Sequence, residues 1–163
     1  METNDVTLQA LAAEVGGKLK AAGLMLATAE SCTGGWIAKV MTDTAGSSAW
    51  FVRGSVTYSN ESKAAMLGVR ARTLEQFGAV SEAVVREMAE GAASWSQARV
   101  RVAVSGIAGP DGGSPEKPVG TVWIAWRWAD GRVTAAGHLF KGDRDSVRFQ
   151  AVLTALEGLR DGL

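Results

Sequence analysis

The chain has one cysteine, Cys32, in 163 residues, so no internal disulfide can staple it and a reducing compartment suits it. It has one histidine, His138. One cysteine and one histidine are too few soft ligands for an all-protein zinc site. A cysteine nucleophile would also depend on that single histidine as its base. Surplus charge is missing too: 17 Lys+Arg balance 17 Asp+Glu. Without a basic excess there is no broad face for a polyanion, which argues against nucleic acid as the principal partner. No apolar run approaches the roughly 20 residues of a membrane span, so no membrane partner is expected. The opening Met1-Glu2-Thr3-Asn4-Asp5 is polar and lacks the apolar centre of a signal peptide, and the expectation is a cytoplasmic protein.

Glycine and tryptophan are plentiful instead, at 20 and 6 residues. The glycines fall at junctions between periodic segments and suggest tight turns near a ligand; the tryptophans suit core or subunit packing. The length fits one domain over residues 1–163 with a core of its own. Thr7 can cap a first helix with Leu8, Leu11, Ala12, Val15, Leu19 and Ala22 on one face; Gly16-Gly17 weaken it and Gly23 ends it. A strand over 24–29 and a helix over 34–42 follow. Ala49 to Tyr58 reads as a strand, and Ser59 or Asn60 caps a helix from Glu61 to Leu67 that stops at Gly68. Arg72 to Phe77 is a short helix closed by Gly78. Ser81 caps a longer one, with Val85, Met88, Ala89, Ala92 and Trp95 at three- and four-residue spacing. Arg99 to Val104 is a buried strand. Val119–Trp128 and Arg132–Phe140 flank Asp130-Gly131, a hairpin signal. Asp143 opens a last helix with the stripe Val147, Ala151, Val152, Ala155, Leu156 and Leu159. Helices alternating with strands before a terminal hairpin and helix predict a three-layer α/β/α sandwich on a mixed, mostly parallel sheet.

Ligands gather beyond the carboxyl ends of strands in such sheets, and three polar segments leave strand ends here: Ser31–Gly35, Tyr58–Lys63 and Ser105–Gly113. The first is a strand-to-helix junction whose free N–H groups would favour phosphates and oxyanions. It is equally describable as a glycine-eased turn with Ser31 as helix cap. As a nucleophile, Ser31 sits where hydrolase folds expose a serine beside backbone N–H donors. Cys32 is the rival, but its neighbour's position turns it toward the core, and His138 lies inside the terminal hairpin. A serine without histidine needs another base. Lys63, in the first turn of a helix, would be held neutral by the positive helix end and by packing of Tyr58. From spacing alone it is more ordinarily a solvated surface lysine. Arg144 and Arg148, four apart, share a face that would grip a phosphate or carboxylate, or they form a solvated pair with Asp143 and Asp145.

Thr28-Ala29-Glu30-Ser31-Cys32-Thr33-Gly34-Gly35, Gly54-Ser55-Val56-Thr57-Tyr58-Ser59-Asn60-Glu61-Ser62-Lys63 and Val104-Ser105-Gly106-Ile107-Ala108-Gly109-Pro110-Asp111-Gly112-Gly113, followed by Lys117-Pro118-Val119-Gly120-Thr121-Val122, resemble the CinA C-terminal domain family. The likeness covers essentially the whole chain. Stand-alone members of that family are nicotinamide-nucleotide amidohydrolases of the PncC type. The resemblance implies pyridine nucleotide salvage: hydrolysis of the carboxamide of nicotinamide mononucleotide (NMN) to nicotinic acid mononucleotide and ammonia. It implies a serine–lysine dyad falling on Ser31 and Lys63, with Tyr58 stacking on the pyridinium or orienting Lys63. Ser105 and Gly106 join the oxyanion donors, and Thr33, Gly34, Gly35, Ser48 and Arg144 are the remaining substrate contacts it suggests. No metal or cofactor is called for. A homo-oligomer, dimer or larger, is expected, with Trp50, Trp123, Trp126 and Trp128 as candidate interface residues. The alternatives are a pyridine-nucleotide-binding module without turnover, or another amidase or esterase of phosphorylated substrates.

Overall fold

The computed structural model describes residues 3–93 and 97–163. The elements run α1 (Thr3–Ala22), β1 (Leu26–Glu30), α2 (Trp36–Thr42), β2 (Phe51–Val56), α3 (Asn60–Leu67), α4 (Ala71–Phe77), α5 (Glu82–Gly91), β3 (Val100–Gly106), β4 (Thr121–Arg127), β5 (Val133–Leu139) and α6 (Arg144–Gly162). The strands lie in the order β2-β1-β3-β4-β5. β1 pairs in parallel with β2 and β3, and β4 runs against both β3 and β5. β4 is therefore the one reversed strand of a mixed sheet. The expected caps are in place: Ser59, Ser81 and Asp143 accept N–H bonds from Ser62, Val84 and Ser146. Helix α1 starts at Thr3, with Asp5 in its first turn, so Thr7 is an interior residue and not its cap. Trp95, assigned above to the stripe of the fifth helix, lies outside the described residues.

Strand alternation sorts the core into two layers. Leu26, Val100, Val102, Val104, Val122, Ile124 and Trp126 face a layer of α1, α2 and α6. Ala27, Ala29, Ala103 and Ala125 face the other layer, where α5 brings Val84, Val85, Met88 and Ala89 and α3 brings Leu67. Small alanines on that face let the second helical layer approach closely. Gly91 extends the theme: a Cβ there would stand 1.8 Å from the Leu67 carbonyl oxygen, so α3 and α5 touch backbone to backbone.

Four glycines seat four tryptophans. A Cβ at Gly16, Gly137, Gly158 or Gly162 would lie 2.6, 2.8, 2.3 or 2.0 Å from the rings of Trp50, Trp123, Trp126 and Trp128 respectively. Gly16 therefore does not break α1; it is the flat place on which Trp50 rests. Trp50, Trp126 and Trp128 are buried and Trp123 is half-buried. Of the four indoles offered above as an interface, Trp50, Trp126 and Trp128 are spent inside the domain, where large rings beside hydrogen-only positions complete its packing, while Trp123 keeps part of its ring at the surface.

Candidate active site

Alternation also decides what three consecutive residues at the end of β1 can do. Ala27 and Ala29 face α5, so the chain leaves β1 with Glu30 toward α2 and Ser31 toward α3. Cys32 returns to the core of α1, α2 and α6, 5% exposed, and burial pushes its thiol up to about 11. A thiol so held is a poor nucleophile near neutrality. Glu30 pairs with Val104 of β3 and Val56 of β2. One residue further on, Ser105 and Thr57 flank Ser31 on either side of it, all three buried. The Thr57 hydroxyl has no hydrogen-bond partner among the described residues.

Lys63 reaches this row from the first turn of α3. It is 1% exposed, which overturns the solvated-surface reading. Its Nζ lies 3.0 Å from Ser31 Oγ, 2.8 Å from the Thr57 carbonyl oxygen and 3.2 Å from that of Tyr58. Burial lowers its pKa from the ordinary lysine value. The geometry suits a neutral amine: two N–H bonds to two carbonyls leave one lone pair for the serine proton. The ring of Tyr58 does not supply the desolvation expected of it, being 62% exposed. What Tyr58 gives Lys63 is its main-chain carbonyl, while its hydroxyl accepts from Arg144 at 3.1 Å.

The start of α2 is not a vacant anion site. Glu30 fills it, accepting the Ile37 N–H at 2.9 Å, the Ala38 N–H at 3.0 Å and the Thr33 hydroxyl at 2.7 Å. The Gly35 N–H also favours its charged form, yet burial outweighs all four donors and raises its pKa. Sequence reading passed over Glu30 because an isolated glutamate before a serine carries no motif; its place in a buried strand facing a helix start was the available signal. Thr33, Gly34 and Gly35 are thereby absorbed into the turn. The Thr33 side chain serves Glu30, the Gly34 N–H closes on the Ser31 carbonyl at 3.0 Å, and both glycines hold positive φ, 62° and 94°. Of the junction's donors, the N–H groups of Cys32 and Thr33 bond to no other residue among those described.

Arg144 joins three segments: it donates to the Gly109 carbonyl at 2.7 Å and to Tyr58 Oη at 3.1 Å, tying the start of α6 to the connections after β3 and β2. Arg148 donates to the Cys32 and Thr33 carbonyls at 3.1 and 3.3 Å and lies over the Trp36 ring at 5.4 Å. Gly106 backs onto β4, where a Cβ would stand 2.6 Å from Val122. Ser48 does not join Ser31 within the chain: it precedes β2, at the opposite end of the parallel strands from Ser31 and Lys63. His138 sits on β5, separated from β1 by β3 and β4, stacked on Phe140 with its pKa lowered by burial.

An α/β/α sandwich with a buried lysine on a serine at its strand ends defines the class. The chain belongs to the CinA C-terminal domain family, whose model matches residues 8–163. It is 61% identical over 155 residues to the nicotinamide-nucleotide amidohydrolase PncC of Escherichia coli (strain K12), covering 95% of this chain and 94% of that one. To the protein of the same description from Pseudomonas putida it is 55% identical, covering 91% and 92%. Among solved structures it superposes on the competence/damage inducible protein CihA of Agrobacterium tumefaciens with a TM-score of 0.91 at 47% identity, covering 94% and 93%. A CinA superfamily protein of Escherichia coli gives 0.93 at 37%, covering 100% and 94%.

Proposed function

We propose that this chain is a nicotinamide-nucleotide amidohydrolase that cleaves the carboxamide of NMN through a Ser31–Lys63 dyad. The observation that carries the reading is the buried Lys63 Nζ, 3.0 Å from Ser31 Oγ, with its other contacts made to two carbonyls. Neutral Lys63 takes the Ser31 proton as Oγ bonds to the amide carbon. The oxyanion forms against the Cys32 and Thr33 N–H groups. Collapse breaks the C–N bond, Lys63 returns its proton to the departing nitrogen, and ammonia leaves an ester on Ser31. Water, deprotonated by Lys63, then bonds to the ester carbon, the Ser31 Oγ–C bond breaks, Lys63 returns the proton to Oγ, and nicotinic acid mononucleotide leaves. Every proton transfer runs through one nitrogen, so no second acid or base is needed.

Ammonia release from NMN tests this. Wild-type protein should turn over, and Ser31→Ala and Lys63→Arg should each lose at least about 1,000-fold in kcat, the second because a guanidinium cannot accept the proton. Near-normal turnover in Ser31→Ala would move the nucleophile elsewhere. Wild-type binding of NMN without ammonia would favour a binding module.

A further inference from the structure

The two free N–H groups of the turn need something to aim them, and the aim is set from behind. We propose that Arg148 is a positioning residue for the oxyanion hole, a role that rests on the serine–lysine reading of the same site. Its guanidinium holds the Cys32 carbonyl at 3.1 Å and the Thr33 carbonyl at 3.3 Å. A trans peptide is planar, with C=O and N–H pointing in opposite directions. Fixing the Cys32 carbonyl on Arg148 therefore turns the Thr33 N–H away from α6. Fixing the Thr33 carbonyl likewise turns the Gly34 N–H away, and that N–H closes the turn on the Ser31 carbonyl. A cation on a carbonyl oxygen also polarises the N–H of the same peptide, making it a stronger donor.

Glu30 secures the other end of the turn, holding the Thr33 hydroxyl and the Ile37 and Ala38 N–H groups. One side chain thus holds the Cys32 and Thr33 carbonyls and the other the helix-start N–H groups, leaving the N–H groups of Cys32 and Thr33 for the substrate. Arg148 is itself steadied by Trp36, whose ring it overlies at 5.4 Å. These contacts commit Nε and Nη2 to main chain, and Nη1 faces the Asp145 carboxylate at 3.8 Å. The first two run against the expectation that Arg148 only grips a phosphate beside Arg144, which donates to Gly109 and Tyr58.

The experiment compares wild type with Arg148→Met, which keeps an apolar stem on Trp36, and with Arg148→Lys, which keeps the charge but not the planar fork. Three quantities are read: kcat and KM for NMN, the acylation rate with p-nitrophenyl acetate, and the amide proton shift of Thr33 in 15N-labelled protein. Losing one oxyanion donor typically costs about 100- to 1,000-fold, so a misaimed donor is expected to lower kcat roughly 10- to 100-fold. The same factor should appear with the ester, which passes through the same oxyanion but has no phosphate. KM for NMN should hold, Thr33 should shift upfield, and Arg148→Lys should recover only part of the rate. A KM rise confined to NMN, with ester acylation intact, would overturn the proposal in favour of a substrate-gripping arginine. An unmoved Thr33 amide or unchanged rates would overturn it outright. If wild type acylates with the ester but leaves NMN intact, the amidohydrolase reading fails while the ester ratio and the Thr33 shift still decide the role of Arg148.

Discussion

At the residue scale the central feature is a lysine kept short of charge partners. Lys63 meets two carbonyls and a hydroxyl, and burial lowers its pKa below the unfolded value of about 10.4. Below the folded pKa the native protein bears the full cost of a buried ammonium. As pH rises from that value toward the unfolded one, the unfolded chain holds more protons than the native state, so stability climbs. Lys63→Met removes this dependence. Denaturation midpoints should favour Lys63→Met at pH 7, with wild type closing the gap by pH 10; parallel curves would contradict the claim. The same reasoning silences Cys32, whose thiol is pushed up to about 11. Iodoacetamide at pH 7.5 should label it far more slowly in folded than in unfolded protein, and Cys32→Ala should keep kcat within about threefold. Loss of activity in that variant would restore the cysteine as nucleophile.

At the scale of elements, reach matters as much as chemistry. Lys63 arrives at Ser31 because α3 lies close on the sheet, and α3 lies close because Gly91 of α5 admits the Leu67 carbonyl. Gly91→Ala forces those helices apart and should cost about 1–3 kcal/mol in a denaturant titration. It should also lower kcat by drawing Lys63 off Ser31. Full stability and activity would show that the helices carry more slack than their contact implies. Much of this layer was legible in the chain. Ser59, Ser81, Gly68, Gly78 and Asp143 punctuate helices where cap chemistry says they should. The start of α1 was not legible, since Thr7 has the look of a cap but the helix runs back to Thr3. Nor was the filled end of α2, which depends on Glu30 facing a helix start seven residues later.

At the scale of the whole molecule, the order of helices and strands foretold the sandwich, and the Asp130-Gly131 turn foretold the antiparallel pairing of β4 with β5. The two abundant residue types were harder to read. Twelve glycines do hold positive φ, as a reading of junctions would have it. Gly16, Gly137, Gly158 and Gly162 serve the tryptophans instead, and pairs distant in sequence leave no local signal. Ser31 was readable from its strand-turn-helix setting. Lys63 was ambiguous by spacing, because the burial that matters to it comes from a sheet and a second helix brought together by the fold. The contact of Lys63 with Ser31 is thus a product of the assembled layers more than of either motif.

The most direct test of that dyad is the titration of Lys63 itself, followed by the 13Cε shift of labelled lysine in wild-type protein, with Lys63→Met to assign the signal. The expected midpoint lies below the ordinary lysine value of about 10.4, coincident with the acidic limb of kcat/KM for NMN. A Lys63 that titrates at or above that value would contradict the claim that a neutral lysine takes the proton from Ser31.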